Sequence, residues 1–368
     1  MSGVYLGSTL LKVYMELLEN RFNVIIDGQF GSTGKGLFGA YLSVNNHADI
    51  FVSNLSPNAG HTYALYDGTK VVTKQLPVGA VINKRSTIYL TAGSIIDIDK
   101  LLEEIEKFEI DYTRLFIHPN ATIIKEKDKL LEEDFNSSIF CIASTKTGTG
   151  SALSRKILRE AIIARDVPEL KDYVKELDLM NLMDMGCTVL METSQGLDLS
   201  LNHGVSYPYC TSRDITVSSA LSDAGVHPKY LGYTSMALRT YPIRVGNDYN
   251  TKGERITYSG PFYEDSREIS WEELGEEPER TTVTGKIRRV ATFSETQYRR
   301  GLYLLRPDFI FLNFANYIKT KKEIENFMEI FDNTERIPTH LGFGPTIKDV
   351  YRVNDSYELY GTIMENIN

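Results

Sequence analysis

The chain has 368 residues, 42% apolar and 24% charged, with a net charge of −9 and a pI near 5.3. This is the composition of a globular protein with a substantial core, and an acidic balance without a long basic run argues against nucleic acid as a partner. No apolar run approaches the roughly 18 residues of a membrane span. Cys141, Cys187 and Cys210 are odd in number and lack C-x-x-C spacing, so neither a disulfide framework nor a zinc site is expected and a reducing cytoplasm is the expected setting.

In chain order, residues 1–21 carry Lys12, Glu16 and Glu19 at helical spacing and no small-residue cleavage site, which predicts an added amphipathic helix rather than a signal peptide. Six short apolar runs bounded by turn residues read as buried strands: FNVIID (22–27), DIFVS (49–53), STIYLTAG (86–93), RLFIHP (114–119), CTVLMET (187–193) and DFIFLNF (308–314). IDKLLEEIEKF (98–108), SALSRKILREAII (151–163) and KKEIENFMEIF (321–331) have helical spacing. Alternation of strand and helix on this scale predicts an α/β fold with a mostly parallel sheet. The acidic, proline-containing stretch 271–280 is expected to be an exposed loop, and the absence of repeats or linkers predicts one domain over 1–368.

The strongest local signal is VIIDGQFGSTGKGLFGAYLS at 24–43. A strand ends at Asp27, four glycines (Gly28, Gly31, Gly34, Gly36) follow, and a helix is expected from about Lys35. Glycines let several backbone N–H groups converge, and a helix N-terminus adds positive potential, so the segment suits a nucleotide phosphate with Lys35 as the nearby cation. The common P-loop pattern does not fit: Gln29 stands where its first glycine would be, and Gly36 replaces the Ser or Thr that would hold Mg²⁺. The architecture is thus P-loop-like with elaborated loops.

GQFGSTGKG (28–36) is similar to the opening loop of the adenylosuccinate synthetase family. NAGHT (58–62), LPVGAV (76–81), ETSQGLDLSLNHGVSYPYCTSRD (192–214), RVG (244–246), VTGKIRR (283–289) and GFGP (342–345) resemble its further signatures in the expected order. The resemblance runs from about residue 22 to the C-terminus. It implies a C–N bond-forming ligase acting in two steps. A nucleoside triphosphate phosphorylates O6 of a 6-oxopurine nucleotide, and the amine of L-aspartate then displaces that phosphate at C6.

The resemblance also implies roles. His61 matches the catalytic histidine that donates to the transferring phosphoryl group, and Gln195 the residue that holds the 6-oxygen. Gly31, Gly34, Lys35, Gly36, Gly60 and Thr62 match positions around the donor phosphates, with Asn313, Gly344 and Pro345 around the donor base. Asn58, Thr145 and Thr211 match contacts to the acceptor 5′-phosphate. Arg159, on the helix predicted over 151–163, matches an arginine that reaches into a neighbouring subunit, which implies a homodimer. Thr284, Lys286, Arg288 and Arg289 match the aspartate-binding loop, and two guanidinium groups suit a dicarboxylate. The implied cofactor is Mg²⁺, at the Gly60 carbonyl and the position of Ser32.

Ser32 is the informative departure. The family has an aspartate there, which removes the purine N1 proton and helps to hold Mg²⁺; a serine hydroxyl is a very poor base near pH 7. Thr33 likewise stands where an acidic residue is usual. A branch of the family, found in bacteriophages with 2-aminoadenine in their DNA, resembles this chain in carrying serine, and takes dGMP to make 2-aminoadenylosuccinate. Guanine presents N1–H and a 2-amino group side by side, so a carboxylate would stabilise the ground state and crowd the amine. A second departure is FLNFANYI (311–318), where Asn313 and Ala315 replace the Lys and Asp that select guanine. ATP or dATP is therefore expected as donor in preference to GTP. Two alternatives stand beside the guanylate reading: ordinary synthesis from IMP with GTP, and a silent purine-nucleotide-binding protein. The guanylate reading accounts for Ser32 without abandoning activity, and for His61, Gln195 and the basic loop in family context.

Overall fold

The computed structural model describes residues 16–65 and 67–367. Most of the helix expected over 1–21 thus lies outside the described residues; residues 16–21 form bends and turns ahead of the first strand.

A nine-stranded sheet organises the chain. From one edge its strands are Val350–Arg352, His340–Gly342, Phe309–Asn313, Leu231–Arg239, Phe22–Asp27, Val189–Glu192, Ile50–Ser53, Thr87–Leu90 and Leu115–Ile117. Every neighbouring pair is parallel except the edge pair of His340–Gly342 with Val350–Arg352. Parallel strands need crossovers and are covered on both faces, which is why their sequences read as continuous apolar runs. Alternation along Phe22–Asp27 shows the two faces. Phe22, Val24 and Ile26 join a core with Leu221, Phe327, Phe331 and Leu359, while Ile25 joins a second with Phe38, Leu101, Ile105 and Leu170. The helices Lys35–Asn45 and Ile98–Lys107 cover the second face; Val217–Ala224, Lys321–Thr334 and Ser356–Asn366 cover the first. Phe38 stacks on Phe311 with ring centroids 4.7 Å apart, fixing the helix after the glycine loop against the sheet.

All six strands read from the sequence lie in this sheet. Leu231–Arg239, its longest strand, was not anticipated, because Gly232, Thr234 and Ser235 interrupt its apolar pattern. It lies beside Phe22–Asp27, and its last six residues are buried. The helix expected over 151–163 is Thr149–Ile157: the buried Asp128 carboxylate binds the Arg155 guanidinium, and Arg159 beyond the helix end takes φ 64°. The stretch 271–280 is not simply an exposed loop. It opens with the turn of helix Trp271–Leu274, whose Trp271 and Leu274 pack with Tyr241, Ile243, Val290 and Tyr317 beside a small antiparallel sheet. Among the described residues no helix is long and apolar enough to cross a membrane.

The parallel arrangement places the carboxyl ends of four neighbouring strands side by side, ending at Asn313, Arg239, Asp27 and Glu192. Ligands in open α/β sheets bind outside this edge.

Candidate active site

A cavity of about 890 Å³ opens at that edge. Its floor is the glycine loop, which Asp27 organises. The fully buried Asp27 carboxylate accepts from the Gln29 N–H (2.8 Å) and the Gly31 N–H (3.3 Å) with Oδ1. Its Oδ2 accepts from the Thr33 hydroxyl (2.6 Å) and the Lys35 ammonium (3.2 Å). Thr33 thus turns inward and serves the loop. Gly31, Ser32 and Gly34 all have positive φ (94°, 56° and 90°), a coil that leads into the helix Lys35–Asn45. A Cβ on Gly34 would fall on the Asn313 side-chain amide, so only glycine fits both the backbone conformation and the space. Lys35 Nζ also donates to the Gln195 carbonyl (2.9 Å), joining the loop to the segment 192–214.

Ser32 is exposed on the cavity wall and held by two arginines. Arg239 Nη1 donates to its carbonyl (3.3 Å), and Arg288 Nη1 donates to its hydroxyl (2.8 Å). Behind them Glu279 pairs with Arg239 and accepts from the Tyr317 hydroxyl (3.0 Å). Burial alone would raise the Glu279 carboxyl, but the Arg239 guanidinium, then Arg288 and Tyr317, hold it below the usual range. Burial also pushes the Arg288 guanidinium down to about 10.

His61 opens the strand His61–Ala64, which pairs antiparallel with Lys70–Thr73. This hairpin is tied to the cavity lining at Pro345 by the Ala64 N–H, which donates to the Pro345 carbonyl (3.0 Å). His61 is buried with Nδ1 2.5 Å from Glu192 Oε1. Gln195 has φ 63° and donates through Nε2 to Asn58 Oδ1 (3.0 Å).

The cavity gathers Gly31, Ser32, Gly34, Lys35, Gly36, Asn58, Gly60, His61, Thr62, Thr145, Gln195, Thr211, Arg288, Asn313, Gly344 and Pro345 from seven separate stretches of chain. Thr145 and Thr211 line one end, where Glu132 accepts from the N–H groups of Gly148, Gly150 and Ser151 (2.8, 2.8 and 3.1 Å) and shapes the turn after Thr145. Asn313, Phe314, Asn316, Tyr317, Gly344 and Pro345 line the other, while Ala315 is fully buried. Four further candidates do not line the cavity. Thr284 meets the Thr281 hydroxyl (2.6 Å), and Lys286 binds Asp248 (2.6 Å). Arg289 is held by Glu268, Ser259 and the Gly260 carbonyl. Arg159 is exposed and donates to the Ile157 carbonyl (2.7 Å).

Sequence reasoning did not single out Asp27, Glu192, Arg239 or Glu279 as site residues. The available signal was a charged side chain closing an apolar run, in VIID, TVLME and MALR. Glu279 sat in a stretch read as solvated.

A glycine-rich loop at the head of a helix, a buried His–Glu pair and a cluster of arginines around one large cavity form the site of a nucleotide-dependent ligase that forms a C–N bond. The chain belongs to the adenylosuccinate synthetase family: the family model described as "Adenylosuccinate synthetase" matches residues 24–184 and 168–360. It is 38% identical over 346 residues to the N6-succino-2-amino-2′-deoxyadenylate synthase of Vibrio phage phiVC8, covering 89% of this chain and 97% of that protein. The enzyme of the same name from cyanophage S-2L is 37% identical over 352 residues, covering 92% and 94%. A solved structure of the cyanophage S-2L succinoaminodeoxyadenylate synthetase, bound to dGMP and to dATP as an energy donor, superposes with a TM-score of 0.82. The two are 35% identical, over 94% of this chain and 99% of that one.

Proposed function

We propose that this chain joins L-aspartate to C6 of dGMP, using ATP or dATP, to give 2-amino-2′-deoxyadenylosuccinate. The observation that carries the reading is Ser32: a neutral hydroxyl on the cavity wall, polarised by Arg288, in a chain that matches dGMP-directed phage enzymes along about nine-tenths of its length. A hydroxyl that accepts from a guanidinium is a better donor and a poorer base. Ser32 therefore serves the purine by hydrogen bonding, and leaves room for the 2-amino group.

The remaining residues divide the work. The loop amides and Lys35 hold the donor phosphates, and Lys35 exchanges its contacts with Asp27 and the Gln195 carbonyl for phosphate oxygens. His61 donates through Nε2 to the transferring phosphoryl group, and Gln195 holds the 6-oxygen as charge develops there. Asn58, Thr145 and Thr211 hold the 5′-phosphate. Arg288 receives aspartate; Thr284, Lys286 and Arg289 lie in the same loop and complete that end if it closes over the substrate. Phe314, Asn316, Gly344 and Pro345 surround the donor base without a carboxylate that would choose guanine, which supports ATP or dATP over GTP.

Among the described residues no group of three or more His, Cys, Asp or Glu side chains gathers as a metal cage. Mg²⁺ is usually held by one or two protein oxygens together with substrate phosphates and water, so the sparse oxygen set near Gly60 fits it. Gly60 packs so closely on the Thr282 side chain that a Cβ there would fall 2.6 Å from its Cγ2, which keeps this backbone against the cavity. Ser32 is the weaker ligand of the two while Arg288 occupies its hydroxyl. Bound there, the ion would neutralise charge on the donor phosphates.

Arg159 is read as a contribution to a neighbouring copy. It is exposed, lies outside its own chain's cavity, and adjoins the exposed Ile157 and Leu158. The phage relatives support the host cytoplasm as the place of work.

Phosphate release with aspartate, Mg²⁺ and ATP, comparing dGMP with IMP, tests the reading. Turnover with dGMP and little with IMP is expected. Turnover with IMP alone would return the chain to ordinary purine synthesis, and no turnover with either would make it a binding protein.

A further inference from the structure

We infer that Glu192 is the positioning residue for His61, fixing which ring nitrogen carries the proton and which faces the reacting groups. The inference rests on the reading of His61 as the donor to the transferring phosphoryl group.

Four elements converge on this carboxylate. Glu192 ends the strand Val189–Glu192 and is 2% exposed; His61 begins the hairpin and is 6% exposed. Glu192 Oε1 lies 2.5 Å from His61 Nδ1, and Oε2 accepts from the Val78 N–H (3.0 Å) at the start of the helix Val78–Ile82. On the helix Lys35–Asn45, a Cβ at Gly39 would stand 3.4 Å from Oε2, so this helix closes the pocket around the carboxylate. LPVGAV, a motif with no role assigned from its residues, therefore supplies the second hydrogen bond to the group that orients the histidine.

The chemistry follows from counting donors and acceptors. Two donors, the Val78 N–H and the His61 ring, point at Glu192, and an ionised carboxylate has an oxygen for each. Accepting from Nδ1–H leaves Nε2 as the ring nitrogen available to the cavity, and lets the carboxylate stabilise the imidazolium that donates from Nε2. Few other charges share this pocket. The helix Val78–Ile82 has none, Lys70 lies at the far end of the hairpin opposite Ala64, and the Lys35 ammonium is engaged by Asp27 and the Gln195 carbonyl.

Glutamine cannot reproduce this arrangement. It has one acceptor and one NH₂ donor group, so satisfying Val78 turns the NH₂ toward Nδ1 and forces the proton onto Nε2. The decisive measurement is ¹⁵N NMR of the imidazole in the full chain, with His61 assigned by its loss in His61→Asn. In the unsubstituted protein the neutral ring is expected to carry its proton on Nδ1, facing Glu192. In Glu192→Gln the neutral ring is expected to switch to Nε2–H. Turnover in the same variant is expected to fall on the order of 10²-fold in kcat, with nucleotide KM values within about twofold, because ring orientation serves the transfer step. Glu192→Asp, which keeps two acceptors, is expected to retain the Nδ1 proton and recover part of kcat. A bare Nδ1 in the unsubstituted protein overturns the inference without any variant having to fold. So does Glu192→Gln with both its tautomer and kcat unchanged. Because the NMR result needs no substrate, it stands apart from the dGMP reading: failure of turnover with dGMP leaves the tautomer test intact.

Discussion

Replacing Gly34 with alanine tests whether the glycine loop is shaped as described. Gly34 has φ 90°, and a left-handed L-residue costs about 1–2 kcal/mol. The added methyl would also fall on the Asn313 amide nitrogen and 3.0 Å from its Cγ. Asn313 has little room to retreat. It is 6% exposed, and on its other side a Cβ at Gly342 would fall on Oδ1 and 3.0 Å from the same Cγ. Overpacking of this kind costs about 1–3 kcal/mol, so Gly34→Ala should destabilise the loop by about 2–5 kcal/mol in all. On the proposed role of the loop in holding the donor, loss of stability in urea should accompany a donor KM raised at least about tenfold, the equivalent of 1.4 kcal/mol. A double-mutant cycle with Asn313→Ala separates the two costs. Removing the amide should restore the steric share of about 1–3 kcal/mol and leave the backbone share. The reasoning fails if Gly34→Ala lies within about 0.5 kcal/mol of the parent with an unchanged donor KM, or if the cycle shows no coupling.

Ser32→Asp should capture the Arg288 guanidinium, which already donates to the Ser32 hydroxyl. The new carboxylate would sit at the exposed Ser32 position beside a half-buried guanidinium, where solvent still screens the pair, so it is worth about 1 kcal/mol; aspartate KM should rise about fivefold and dGMP turnover should fall; steady-state kinetics with both unchanged would remove the capture and the ground-state argument together. Burial pushes the Asp198 carboxyl up to about 6 against the opposing Gln297, Arg300 and Tyr263. A raised folded-state pKa means that this group's contribution is complete below about pH 4 and lost as pH rises through about 6, a span on the order of 3 kcal/mol. Denaturation across that window should therefore show a flatter pH dependence in Asp198→Asn, and an unaltered slope would exclude Asp198 as its source. For the neighbouring-copy role of Arg159, mixing inactive Arg159→Ala with inactive His61→Asn should restore up to about a quarter of the activity. That would come from sites with an intact His61 and a donated Arg159, and strict additivity of two dead enzymes would place Arg159 within its own chain.

Sequence alone determined what is local. Contiguous apolar runs marked six parallel strands, because a strand buried on both faces needs no partner to be recognised. The spacing of Gly28, Gly31, Gly34 and Gly36 after Asp27 marked a tight strand-to-helix turn, because its conformation is set by the residues it contains. Ser32 was legible as a departure, and pointed to the purine. Tertiary structure decided what depends on partners far apart in the chain. Leu231–Arg239 is a central strand through its neighbours, despite the small polar residues that break its pattern. Glu279 reaches the site because Trp271 anchors an acidic stretch that alone reads as solvated. Glu192 meets His61 across 131 residues and Arg288 meets Ser32 across 256, each by a hydrogen bond whose two ends carry no mark of each other until the sheet brings them together.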